Sequence, residues 1–187
     1  MAKTLRSIYQ LKITLKGSKP PIWRRLLVPD TIKLDVFNDA VQICMGWTNS
    51  HLHEFFAEGK RYGEPAPDFD FSEVLDEKKY RLNQLLKKEK SSLLYTYDFG
   101  DNWEHSITLE TILPYGPAQL LPCCIKAVGA CPPEDVGGIY GYYGFLEAWN
   151  DPKHPEHDNY REWIGDEYDP NHYDIEEVNE LLLEYCR

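Results

Sequence analysis

Three short stretches of this 187-residue chain concentrate side chains that bind ions or move protons. The first is HLHEF at 51–55, where His51 and His53 stand two residues apart. On a strand, residues i and i+2 point the same way, so the pair is predicted to grip one metal ion or one anion. The second is YDFGDNWEH at 97–105, in which Asp98 and Asp101 flank Gly100 between two apolar runs. That pattern predicts a hairpin tip carrying two carboxylates, although Asp side chains in turns also bond backbone amides in a purely architectural role. Trp103 and His105 share a face of the following strand with Ile107 and Leu109, which makes His105 a candidate core histidine. The third is CPPEDVGG at 131–138, with adjacent carboxylates Glu134 and Asp135 between a stiff Pro-Pro pair and two glycines. Such carboxylates can bind a cation, hold an arginine, or serve as acid and base.

These residues must be positioned by elements that the hydrophobic pattern outlines. Residues 8–16 alternate, with Tyr9, Leu11, Ile13 and Leu15 on one face and Gln10, Lys12, Thr14 and Lys16 on the other, as in a half-buried strand. Gly17-Ser18-Lys19-Pro20-Pro21 turns the chain into a returning strand over 22–28. In that strand Arg24 and Arg25 lie on opposite faces, so whichever face is buried takes an arginine with it. A buried guanidinium needs a carboxylate or several acceptors. Asp35 is expected to cap a helix over 36–45 that Gly46 ends. Strands are predicted over 51–58, 93–99 and 103–113, with a long excursion over 62–90 that contributes little to the core. Residues 114–138 read as loop. Helices are expected over 141–149, over 155–164 with Pro155 in the first position and Gly165 as the stop, and after Asp174. The order predicts an α+β fold: an antiparallel-rich sheet with helices packed on one side, in one domain spanning 1–187 whose acidic helical section starts at about 139.

Gly138, Gly141 and Gly144 recur every three residues, which suits close helix packing; no βαβ unit accompanies them, and dinucleotide binding is not expected. Asp98-Phe99-Gly100 stands without the other elements of a kinase.

Together, Ile22-Trp23-Arg24-Arg25, Gly46-Trp47, HLHEF, YDFGDNWEH and CPPEDVGG resemble the prokaryotic family named after an open reading frame of a root-inducing (Ri) plasmid. The resemblance runs from Tyr9 to about Asn179 and implies a two-layer, roll-like α+β domain. It implies no activity, and the family name records where a member was found. The family pattern has a cysteine seven positions before that of CPPED, matched here by Cys124 and Cys131; a glycine usual between them is absent from Cys124-Ile125-Lys126-Ala127-Val128-Gly129-Ala130.

Composition bounds the function. The chain holds 20 Lys plus Arg against 31 Asp plus Glu, for a net charge of −11, and no run of residues is apolar enough to span a membrane. Residues 1–30 carry seven basic side chains and one acidic; residues 134–187 carry fifteen acidic and three basic. The overall sign opposes non-specific nucleic-acid binding, so a protein partner is expected ahead of nucleic acid, and the basic start is expected to face the acidic end. Five cysteines, an odd count without a secretory segment, predict reduced thiols and a cytoplasmic location. The candidate ligand-binding set is therefore Arg24, Arg25, His51, His53, Asp98, Asp101, Trp103, His105, Glu134 and Asp135, with a divalent metal as the cofactor to expect. Cys124 and Cys131 joined by His51 and His53 would favour zinc; carboxylates with histidines would favour manganese, iron or magnesium. The chemistry that follows is metal-assisted hydrolysis. A non-enzymatic interaction module serving mobile-element or DNA processes is the alternative, and motifs that only satisfy buried charges and turns are the third reading.

Overall fold

The computed structural model describes residues 7–65, 74–116 and 119–186. Strands β1 (Ser7–Leu15), β2 (Trp23–Pro29), β3 (His53–Ala57), β4 (Lys60–Gly63), β5 (Val74–Asp76), β6 (Ser92–Tyr97), β7 (Trp103–Pro114) and β8 (Cys123–Val128) form one sheet. Their order is β5-β4-β3-β6-β7-β1-β2-β8, antiparallel except where β5 joins β4. Five α-helices complete the fold: α1 (Leu34–Met45), α2 (Leu82–Leu85), α3 (Gly138–Asn150), α4 (His157–Ile164) and α5 (Ile175–Tyr185). The expected α+β class is the observed one.

The alternation of β1 is realised as written: Leu11, Ile13 and Leu15 are buried, while Lys12 and Thr14 stand on the other face. The core lies between the first face and α1, whose Phe37 stacks on Phe55 at 5.8 Å and whose Gln42 donates to Tyr95 Oη at 2.8 Å. Burying such a face is what drives the layers together, at about 25 cal/mol for each Å² of apolar surface removed from water. Gly46 ends α1 in the left-handed region at φ 81°, where its N–H reaches the carbonyls of Gln42 and Ile43. Asp174 caps α5 by accepting from the amides of Glu176 and Glu177.

Several local expectations are corrected. Lys33, not Asp35, is the N-cap of α1; Asp35 falls in the first turn, where its charge still suits the helix dipole. Helix α4 starts after Glu156, which places Pro155 outside it. The stretch read as loop contains β8, an edge strand whose exposure shows no alternation because one of its flanks is covered by α5 and the other by β2. The excursion over 62–90, of which 66–73 lie outside the described residues, does supply core: Tyr62, Leu82, Leu85 and Leu86 are buried.

Candidate functional site

The three motifs meet at one end of the sheet. The 98–102 turn joins β6 to β7, the 46–52 loop leads from α1 into β3, and the 131–137 loop leads from β8 into α3. Cross-bonds tie them together. Trp47 Nε1 donates to the Pro132 carbonyl at 3.0 Å, and Asp98 N donates to the Leu52 carbonyl at 2.9 Å. Gly137 N donates to Asp101 Oδ2 at 3.0 Å. Gly138 explains its own residue type: at φ 69°, a Cβ there would collide with the Asp101 carbonyl oxygen. Asp101 is thus occupied as a clamp between two loops.

Glu134 is occupied too. Its carboxylate accepts from Tyr97 Oη at 2.5 Å, Thr48 Oγ1 at 2.6 Å and Thr48 N at 3.2 Å. Tyr97 in turn accepts from Ser50 N at 3.0 Å, and its hydroxyl is pushed up in pKa by burial and by the Glu134 carboxylate. Below lies an aromatic floor in which Trp47 packs on Tyr97 at 5.0 Å and on Trp103 at 5.6 Å. Trp103 is wholly buried, so it supports the site and cannot contact a ligand from solvent.

What remains free to hold an ion is His51, Asp98 and Asp135. His51 Nε2 lies 3.0 Å from Asp135 Oδ1 and 3.9 Å from Asp98 Oδ2. One ligand atom from each residue fits within 4.8 Å of the others, the one such His, Cys, Asp and Glu grouping of three among the described residues. Asp98 forms the deep side, His51 is one-third exposed and Asp135 is two-thirds exposed, so the trio opens to solvent. Both aspartates adopt left-handed backbone, φ 54° at Asp98 and 60° at Asp135, a conformation that Asp tolerates better than most residues and that aims their carboxylates towards His51. Asp98 Oδ1 is held by Gly100 N at 2.9 Å, which leaves Oδ2 for the site.

His53 does not join His51. Strand β3 begins at His53, so His51 lies in the preceding loop and the two-residue rule does not apply across that boundary. His53 faces inward, and its Nε2 sits 2.8 Å from Glu77 Oε2, a nearly buried partner that no spacing rule pointed to. Cys124 and Cys131 lie outside the trio, so the Cys2His2 zinc set does not assemble. His105 is buried in the core as expected, edge-on to Trp47 at 5.3 Å, but neither ring nitrogen has a hydrogen-bond partner. Burial brings its pKa down to about 4, so it is neutral at pH 7.

Neither arginine pairs with Glu134 or Asp135. Arg25 faces the open side of the sheet and forms a two-pronged bond to Glu110, Nε at 2.6 Å and Nη2 at 2.8 Å. Arg24 goes into the core, where Nε donates to the Cys44 carbonyl at 2.8 Å and Nη1 to the carbonyls of Trp23 and Val128 at 3.0 Å each. Its guanidinium lies 4.1 Å from the Tyr173 ring.

The sequence of residues 7–177 matches the model of the plasmid pRiA4b ORF-3-like proteins. The chain belongs to that family. It is 38% identical over 177 residues to the uncharacterized protein y4hQ of Sinorhizobium fredii, covering 94% of this chain and 91% of that one. The crystal structure of the protein of unknown function MM3350 from Methanosarcina mazei Go1 superposes with a TM-score of 0.83 at 36% identity, covering 94% of this chain and 99% of the other. The pRiA4b ORF-3-like resemblance read from the motifs is therefore confirmed, and the match spans all three loops of the site. Among the described residues no helix is long and apolar enough to cross a membrane.

Proposed function

We propose that the loop end of the sheet binds a divalent cation through His51, Asp98 and Asp135 and uses it for hydrolysis. The observation that carries this reading is the convergence of three sequence-distant motifs on one solvent-open trio, while the neighbouring carboxylates Glu134 and Asp101 are committed to bracing the loops. One imidazole with two carboxylates suits manganese, iron or zinc better than calcium, which prefers a larger all-oxygen shell. Three protein ligands leave positions for water, the arrangement of catalytic rather than structural centres. An ion there would bring a bound water towards neutral pKa and polarise a phosphoester or amide oxygen.

Metal analysis of protein purified without chelator or histidine tag, followed by calorimetric titration with Mn²⁺ and Zn²⁺, tests the reading. Stoichiometric binding that His51→Ala and Asp98→Asn abolish is the expected result. Absence of binding by a folded protein would leave the trio as a polar cluster that staples the three loops.

A second reading rests on a different face. On the open side of the sheet Trp23 is surrounded by Lys12, Arg25 and Lys126, at 4.9, 5.2 and 5.9 Å from its ring centre. This patch would suit an acidic protein partner better than nucleic acid, because Arg25 is already neutralised by Glu110 and the chain carries a net charge of −11. Capture that vanishes in Lys12→Glu would support it.

A further inference from the structure

The charges around the trio select among substrates. Residues 46–52, 98–102 and 131–137 carry Asp98, Asp101, Glu134 and Asp135 and no lysine or arginine. At the same end of the sheet Lys16, level with Glu104 on β7, is already bound to that carboxylate at 2.8 Å. One divalent cation would offset two of the four loop carboxylates, so the loop end stays acidic when loaded. A phosphoester brings negative charge of its own, and sites that act on one meet it with arginine, lysine or several metal ions. An amide brings none.

Apolar groups stand directly beside the ligands. Leu52 follows His51 and Phe99 follows Asp98 in the chain, and the two are 51% and 52% exposed. A single exposed apolar side chain is ordinary. These two belong to different loops that meet, since Asp98 N donates to the Leu52 carbonyl at 2.9 Å. Phe99 also sits in a tight turn, a place where small polar residues are the usual choice. That turn is pinned by Asn102 N on the Asp98 carbonyl at 2.6 Å and by Gly100 N on Asp98 Oδ1 at 2.9 Å. Little backbone has to be ordered when a ligand covers this surface.

We propose, resting on the cation-binding reading above, that the substrate class of this site is an amide next to an apolar side chain and free of negative charge, with Leu52 and Phe99 covering the apolar group. The hydrolysis balances without a further reactant. The water oxygen joins the carbonyl carbon, the C–N bond breaks, and both water protons end on the nitrogen, leaving a carboxylate and an ammonium. The carboxylate product is repelled by the same acidic loops, which favours its release.

The test uses tag-free protein, with Mn²⁺ binding measured by calorimetry on the same sample. Its probes are acetyl-leucine p-nitroanilide, acetyl-glycine p-nitroanilide and bis(p-nitrophenyl) phosphate, each rate divided by that of free Mn²⁺. The leucine probe should exceed the glycine probe by at least about tenfold in kcat/KM, with the phosphodiester accelerated least. Phe99→Ser and Leu52→Ser should each shrink the leucine-to-glycine ratio through KM while Mn²⁺ stays bound. Trp163→Ser, at a 50% exposed aromatic on α4, should leave that ratio unchanged. Faster cleavage of acetyl-dialanyl-leucine p-nitroanilide than of the single-residue probe would identify peptides as the source; the reverse would identify small amides, and either order supports the class. Bound Mn²⁺ with the phosphodiester accelerated most, or with equal rates on the leucine and glycine probes, would overturn this proposal alone. Bound Mn²⁺ without cleavage of any probe would overturn it together with hydrolysis, and failure to bind Mn²⁺ would remove the cation site as well.

Discussion

Two polar clusters of this molecule contrast in what surrounds them. At the loop end, His51, Asp98 and Asp135 gather an imidazole and two carboxylates at a solvent-open rim, where water screens each group. In the core, the Cys44, Trp23 and Val128 carbonyls and the Tyr173 ring gather around the Arg24 cation, from which water is excluded. The first cluster can lose a member and remain solvated. The second cannot, because each member satisfies another that has no access to water. Stability is therefore stored in the core cluster, and the capacity to bind resides in the rim.

The sharpest way to break this contrast is Arg24→Ala. It leaves the Cys44, Trp23 and Val128 carbonyls without the Arg24 donor and opens a cavity in the core, and urea unfolding should show a loss of about 3–5 kcal/mol. A loss below 1 kcal/mol would mean that the core cluster is not where stability is held. Acidification comes next. His105 takes up its proton near 6.5 when unfolded but only near 4 when folded, so between those values the unfolded chain binds more protons. Its contribution is complete above pH 6.5 and lost as pH falls towards 4, about 3 kcal/mol in all. A pH series of melting curves measures this slope, and His105→Phe should flatten it.

Smaller effects separate bracing from binding within the rim itself. Glu134→Gln weakens the bonds from Tyr97 and Thr48 and should cost about 1–2 kcal/mol in thermal or chemical unfolding. Asp135→Asn should change stability by less than about 0.5 kcal/mol, as expected of an exposed side chain, while lowering Mn²⁺ affinity by more than about tenfold in calorimetry. If Asp135→Asn destabilises as much as Glu134→Gln, the rim is a staple and the contrast fails.

Local chemistry was legible throughout the sequence. Alternation over 8–16 determined which face of β1 is buried, because a strand presents successive side chains to opposite sides. Gly46 and Asp174 marked helix ends, since a left-handed stop and an amide-accepting cap depend on one residue and its immediate neighbours. Two of the three loops at the site, 98–102 and 131–137, were also legible, their Gly, Pro and Asp content announcing turns that bear carboxylates, whereas the end of the 46–52 loop was read as strand. Strand β8 escaped because an edge strand covered unevenly on its two flanks leaves no period-two signal.

Partners were the work of the tertiary structure. It assigned Arg25 to Glu110, His53 to Glu77 and Glu134 to Tyr97, pairs separated by 85, 24 and 37 residues. It also split His51 from His53 by starting β3 between them. The physical reason is that a charge is satisfied by whatever group the strand register and loop packing bring within about 3 Å, and that depends on the whole sheet rather than on spacing along the chain. The sequence by itself determined which residues could do chemistry and that an arginine must enter the core. Only the folded molecule decided that this arginine would be Arg24, and that its partners there would be backbone carbonyls and a tyrosine ring instead of carboxylates.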